Sequence, residues 1–261
     1  MERNIFLLSL LVITGCSQVD SNNLQTSEIY SKTIITRESS STVKVSVELY
    51  NSERIYDHYY VNLIEGDVLY VTQNNDTPLT KKLAKIEHKG GQLEYVAHFT
   101  TTSPTDSYTI SLERPIHENA SARNIRIPTA VTLTYPITNE LFSASQGTID
   151  FMWTPVANQS EEKYINFNSY CSQGSNIENE KLYLSNKGIE PVSISEFIYH
   201  SVKNNDESCL VFLSMAREWH CSVFNSPGVP SCVEYNDFSL NEIRTIYKSD
   251  QVTIVINTNF I

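Results

Sequence analysis

Residues Thr42 to Leu49 alternate without error: Val43, Val45, Val47 and Leu49 are apolar and the residues between them are polar. A side-chain period of two puts those four residues on one face of a β-strand with one buried side. The signal recurs along the chain. Val68-Leu69-Tyr70-Val71 follows the Gly66-Asp67 turn, and Leu93, Tyr95, Ala97 and Phe99 alternate after Gly90-Gly91. Tyr108, Ile110 and Leu112 alternate after Ser103-Pro104-Thr105-Asp106. Short strands about a dozen residues apart, separated by turn residues, predict a sandwich or barrel.

The second half carries the same signal. Pro128 and Pro136 bracket a boundary: Ile125-Arg126-Ile127 closes one module, and Val131, Leu133 and Tyr135 open the next. Ile149, Phe151 and Trp153 alternate up to Pro155, with Trp153 as a large aromatic anchor. Lys163 to Asn168 alternates around Ile165 and Phe167. Cys209 to Leu213 is apolar on both faces, as in a covered central strand. Val252, Ile254 and Ile256 give a last strand. Two stretches are ambiguous. Ser193 to Glu196 has capping-box spacing and predicts a short helix through Tyr199. Ser239 to Glu242 has the same spacing, but the β-branched Ile243 and Thr245 favour a strand there. The wealth of Tyr (15) against the scarcity of Gly (8) agrees with strands.

Charge limits the partners. A net charge of −11 argues against nucleic acid and against a polybasic membrane patch. After Ile13 no apolar run reaches the ~18 residues of a membrane-crossing helix.

The amino terminus has a different logic. Arg3 precedes the nine-residue apolar run Ile5 to Ile13, which ends in Thr14-Gly15 and Cys16. Such a run is too short to cross a hydrocarbon core of ~30 Å and reads as a secretory signal. Ile13-Thr14-Gly15-Cys16 resembles a lipobox, the processing site of bacterial lipoproteins. That resemblance implies removal of residues 1–15 and diacylglycerol (palmitate-type) acylation of the Cys16 thiol. Two or three acyl chains anchor stably where one does not. Ser17, where retained lipoproteins have Asp, implies export to the outer membrane, facing the periplasm or the surface. Residues 16–27, Cys16 followed by a polar stretch without periodicity, read as a tether.

The Ile149–Pro155 and Tyr164–Phe167 strands are similar to the second and third strands of fibronectin type III domains. The immunoglobulin hallmark is absent, because Trp153 precedes both Cys171 and Cys209 instead of lying between them. The chain also resembles a loose group of proteobacterial outer-membrane lipoproteins. The points of likeness are the lipobox, Gly66-Asp67-Val68-Leu69, Ser111-Leu112-Glu113-Arg114-Pro115, Ile127-Pro128, the Trp153 strand, a Cys-bearing strand with Arg217 beyond it, and Arg244. No activity comes with that group, so the likeness implies architecture and location alone. The expected fold is all-β: two tandem β-sandwich, Ig-like or fibronectin-type-III-like, domains over 28–127 and 128–261, the second bearing the disulfides.

Four cysteines remain after Cys16, and an even number in an exported chain implies disulfides. We expect Cys221–Cys232, whose intervening Pro227-Gly228 favours a turn, and Cys171–Cys209, at the ends of two strands that can be neighbours. The C-x-x-C spacing of a four-cysteine metal site is missing.

A search for chemistry finds no local motif. Ser41-Thr42-Val43-Lys44 and Ser160-Glu161-Glu162-Lys163 fit Ser-x-x-Lys, but no Lys-Thr-Gly accompanies them and Ser41 opens a strand. No two of the six histidines stand at metal-binding spacing. Asn74-Asn75-Asp76 and Asn204-Asn205-Asp206-Glu207 could offer oxygen ligands to calcium, but neither matches an EF-hand loop and both read more simply as solvated turns. The most aromatic stretch, Tyr56-Asp57-His58-Tyr59-Tyr60, is a weak ligand-binding candidate through Tyr56, His58, Tyr59 and Tyr60, set against a plain strand. We therefore expect no catalytic residues, no metal and no cofactor. The expected role is a lipid-anchored envelope binding or scaffold protein with an envelope protein or glycan partner and no nucleic acid. The rival is a lipid-anchored periplasmic enzyme whose site is assembled from dispersed loop residues.

Overall fold

The computed structural model describes residues 18–38, 41–51, 59–101, 103, 105–154, 162–172, 176–185, 187–198, 208–222, 235–236, 238 and 240–257. Among them the regular structure is β-strand apart from four single 3-10 turns. The strands of the first half are β1 (Gln18–Asp20), β2 (Tyr30–Glu38), β3 (Thr42–Tyr50), β4 (Tyr60–Asn62), β5 (Val68–Asn74), β6 (Leu79–Lys82), β7 (Ala84–Glu87), β8 (Leu93–Thr100), β9 (Ser107–Glu113) and β10 (Ala120–Arg126). Those of the second half are β11 (Leu133–Tyr135), β12 (Glu140–Ser143), β13 (Thr148–Trp153), β14 (Glu162–Cys171), β15 (Asn176–Tyr183), β16 (Ile189–Ser193), β17 (Ser208–Ser222), β18 (Tyr235–Asn236), β19 (Leu240–Lys248) and β20 (Val252–Asn257).

One large sheet runs β1-β4-β3-β2-β19-β17-β14-β15, with β8 and β7 added at β3, and β20 and β12 at β17. Two smaller sheets, β18-β10-β9-β5-β6 and β11-β13-β16, lie against it. The alternation explains the layering. Val43, Val45, Val47 and Leu49 of β3 are fully buried and pack with Leu69, Val71, Ile110 and Leu112 of the five-stranded sheet. Full burial of each such side chain contributes about 1.5–3 kcal/mol. A one-residue slip would turn all four outward, which fixes the register. The second core joins Ile165, Val211, Leu213 and Ile254 of the large sheet to Ile149, Phe151 and Trp153 of the three-stranded sheet. Both cores thus form under one face of a shared sheet.

The shared element is β17. Its fifteen residues span about 50 Å. Val211, Leu213 and Met215 enter the second core and Cys221 enters the first. Residues 240–257 run antiparallel to it along one edge, first as β19 and then as β20. β19 also pairs in parallel with β2 over nine residues, Leu240 opposite Tyr30 through Lys248 opposite Glu38. Residues 127–132 connect β10 to β11. Chain order does not separate the cores, because Cys221, Phe238 and Ile243 return to the first.

Between the cores sits Arg217, fully buried. Its guanidinium donates to the carbonyl and the hydroxyl of Thr129, in the crossing segment. Burial pulls its pKa down to about 10, so it stays charged at neutral pH. The bond ties the exposed Thr129 of the crossing segment to the buried guanidinium of β17.

Three sequence expectations change. Residues 16–27 are not a free tether from Gln18 onward: β1 pairs in parallel with β4, and Ser21 is fully buried. The helix expected from Ser193 is a single 3-10 turn, Ile194–Glu196, with the Ser193 hydroxyl accepting from the Ser195 amide. The Cys209 strand, read from its apolar run as Cys209 to Leu213, continues to Ser222.

The Cys171–Cys209 disulfide is present as expected, joining residues directly opposite one another on β14 and β17. It closes a loop with a sequence separation of 38. The double replacement of Cys171 and Cys209 by serine should lower stability by about 2–4 kcal/mol, chiefly by freeing the unfolded chain. Urea unfolding of the purified variant checks this; an unchanged midpoint would show that the strand ladder alone holds the pair.

Candidate functional site

Side chains on the two faces of β17 alternate. Odd-numbered residues face the cores, and even-numbered ones face the side of the large sheet that no other described sheet covers. Here the pairing of β17 changes partner. Leu213 lies opposite Val252 and Ala216 opposite Lys248, so Ser214 and Met215 face the three residues Ser249 to Gln251. The extra residue is a β-bulge, which bends the strand and redirects side chains. Ser249 closes it, its amide donating to the Met215 carbonyl at 2.8 Å and its hydroxyl accepting from the Met215 amide at 2.9 Å.

At the bulge the open face is hollowed into a groove of about 300 Å³. Asn166 and Ser214, directly opposite on β14 and β17, line it together with Lys181, Lys248 and Gln251. Phe212 lies at its end, edge-on to Tyr170 with ring centroids 5.8 Å apart. The Asn168 carboxamide oxygen accepts from the Asn179 amide at 2.7 Å, and Asn179 takes a positive φ of 57°. That bond fixes the groove wall, since asparagine is among the few residues that adopt this backbone readily. A smaller cleft of about 200 Å³ lies between β15 and the Ile194–Glu196 turn.

One step along the strands is a charged network. Glu218 has a fully buried side chain. Its carboxylate accepts from the Tyr164 hydroxyl at 2.8 Å and from Arg244 Nε at 2.5 Å, with a second contact to Arg244 Nη2. Lys181 Nζ lies 3.6 Å from Glu218 and 4.1 Å from the centre of the Tyr164 ring. Burial pushes the Glu218 pKa up, but Tyr164, Arg244 and Lys181 together outweigh it and hold the carboxyl below its usual range. Burial, then the neighbouring Glu218, push the Tyr164 phenol far up, so it remains a donor. His220 Nε2 is 3.1 Å from Glu218 and 3.6 Å from the exposed Glu162.

Glu162, Glu218 and His220 offer donor atoms within 4.8 Å of one another, a spacing that could hold a metal ion. The chemistry does not fit. The Glu218 oxygen facing His220 already carries the Arg244 guanidinium, and a cation would have to displace it.

The structure disperses the residues singled out in the sequence. Cys16, Tyr56, His58 and Cys232 lie outside the described residues. Cys221 is disulfide-bonded and buried in the first core. Tyr59 is half-exposed, its amide donating to Asn51 Oδ1, and Tyr60 packs on Tyr50 with centroids 5.0 Å apart. These tyrosines share the end of the sheet where Leu240 pairs with Tyr30. Lys248, at the groove, is eight residues further along β19, about 26 Å away. The Asn75 turn is held by its own side chain, which accepts from the Thr77 amide, as a solvated turn requires. The groove residues themselves left no local signal. They come from four strands, and the one available cue is the run of polar residues at even positions on β14.

No family model matches the chain, and no curated protein matches it. Among solved structures it is similar to the calcium binding domain CBD12 of CALX1.1, at 9% sequence identity and a TM-score of 0.19, over 85% of this chain and 99% of that one.

Proposed function

We propose that this chain is a non-catalytic binding module of the bacterial cell envelope, anchored to the outer membrane through acylated Cys16, and that the groove on the open sheet face takes its ligand. The observation that carries the reading is the groove: a carboxamide, a hydroxyl and two ammonium groups beside an aromatic ring, raised on a rigid sheet. Such groups suit a hydroxyl-rich chain with anionic substituents, that is, a glycan segment of the envelope. Amides and hydroxyls donate to and accept from sugar hydroxyls, lysines meet acid groups, and Phe212 offers an apolar surface. The two lysines are notable in a chain of net charge −11, because they create a local cationic site where the overall field repels anions.

The test is co-sedimentation with purified envelope glycans, for wild type and for the paired replacement of Asn166 and Lys248 by alanine. We expect retention by wild type and a loss of about tenfold or more in the variant, the equivalent of two or three lost polar contacts. Equal retention of both proteins would sink the groove as the binding site. No retention of either would sink the glycan reading.

A further inference from the structure

Residue Gln18 is a strand residue, and covalent geometry limits what precedes it. Two peptide units separate it from Cys16, a reach of at most about 7 Å. Gln18 itself is fixed, its side-chain amide donating to the Gly91 carbonyl at 2.9 Å and to Glu87 at 3.2 Å. Behind it, the Arg114 guanidinium holds the Ser21 and Leu24 carbonyls and the Thr26 hydroxyl. An acyl chain on Cys16 would therefore hang from the body of the protein without slack.

The register then says what lies beside it. Gln18 pairs with Tyr60, Tyr60 with Tyr50, and Tyr50 with Tyr30. Three tyrosines thus stand in one transverse row across β4, β3 and β2. Adjacent strands are about 4.8 Å apart, so the row extends roughly 15 Å from Gln18. Tyr59 lies one residue beyond the row and is 49% exposed. Because β1 and β4 are parallel, Tyr59 lies on the same side of the row as the chain leading back to Cys16. A phenol ring combines an apolar body with a hydrogen-bonding tip, and tyrosine concentrates where membrane meets water. The net charge of −11 offers no overall attraction to anionic headgroups, and beside the row Lys32 and Glu48 pair with each other at 3.4 Å, so the contact offered here is of this uncharged kind.

We infer that this tyrosine end of the large sheet, Tyr59 with the row Tyr60, Tyr50 and Tyr30, seats on the lipid headgroup layer beside the Cys16 anchor and fixes the orientation of the molecule on the membrane. The inference rests on the anchor proposed above. The groove, about 26 Å along β19, is then held away from the lipid and open to envelope ligands.

The test uses the full lipidated chain in phosphatidylethanolamine–phosphatidylglycerol vesicles doped with brominated phosphatidylcholine. Trp fluorescence is read for Tyr59→Trp and for Tyr183→Trp, a 60% exposed position on β15, each as the difference from wild type. The emission added at residue 59 should fall about twofold on bromination, as for an interfacial ring, while that added at residue 183 should not change. Inserting ten Gly/Ser residues between Ser17 and Gln18 should abolish the quenching at residue 59 and leave the protein on the vesicles. An unquenched Tyr59→Trp in a chain whose intact mass shows the acyl groups overturns the seating and leaves the anchor standing. Unchanged quenching after the insertion overturns the role of the short leash. A mature chain without acyl mass, fractionating as the Cys16→Ser variant does, overturns the anchor and the seating together.

Discussion

Replacing Arg114 by alanine should destabilise the protein by about 3–5 kcal/mol and release residues 18–28 from the body. Arg114 has a fully buried side chain, and its Nε donates to Asp67 at 3.0 Å. The remaining guanidinium nitrogens donate to the Ser21 carbonyl at 2.6 Å, the Leu24 carbonyl at 2.9 Å and the Thr26 hydroxyl at 3.0 Å. The Asp67 carboxylate is itself 6% exposed, so truncation strands a buried charge as well as two carbonyls. The turn before Asp67 sets the geometry. Glu65 and Gly66 take φ of 55° and 91°, and a Cβ at Gly66 would lie 3.2 Å from the Pro115 ring. Glycine there lets Asp67 come alongside Arg114. Lysine in place of Arg114 should recover little, since one ammonium cannot serve four acceptors in a planar fork. Urea unfolding gives the stability. Limited proteolysis gives the release, as early cleavage within residues 18–28 of Arg114→Ala but not of wild type. A loss below about 1 kcal/mol would mean that water replaces the guanidinium and that the segment is held by β1 alone.

Locally, residues 18–27 are polar and aperiodic, the pattern of a linker. They are ordered by a cation 88 to 93 residues away, which no local window contains. Strands whose period is set by a core were legible: β3, β5, β8, β9, β13 and β20 fall where alternation put them. Beyond Met215, β17 was not, because Ala216, Arg217 and Glu218 are buried on opposite faces for different reasons. Ala216 packs with Tyr164 and Ile246 on the open face, and Arg217 donates to the Thr129 carbonyl of the crossing segment. A run of charged residues inside a strand reads as its end unless the partners are known. The parallel pairings β1–β4, β12–β20 and β2–β19 are equally silent, since register between distant strands is encoded by packing and not by any turn. The groove was illegible for the same reason: it is a property of the bulge at Ser249–Gln251 and of four strands together.

The Glu218 network gives the second large effect. Glu218→Ala should cost about 3–5 kcal/mol, because it leaves Arg244 without its carboxylate and the buried Tyr164 hydroxyl without an acceptor. Glu218→Gln should cost less, since the amide oxygen still accepts from Tyr164 and Arg244 is partly open to water. The pH dependence separates charge from shape. The folded Glu218 carboxyl is held below its usual range, with burial opposing and Tyr164, Arg244 and Lys181 prevailing. In the unfolded chain it titrates near ~4.3. The folded state therefore binds this proton more weakly than the unfolded state. The stabilisation is complete above the unfolded value and is lost as pH falls through the depressed folded one. The stability difference between wild type and Glu218→Gln should accordingly shrink from about pH 4 downward. Taking the difference cancels the other carboxylates, among them Glu94, which Ser46, His88 and Lys44 also hold low against its burial. A difference that stays flat down to pH 3 would mean that the carboxylate gains nothing from Arg244. Groove binding by Glu218→Gln should remain, because Lys181 keeps its place over the Tyr164 ring. If binding fails along with the ion pair, the network belongs to the ligand site as well as to the fold.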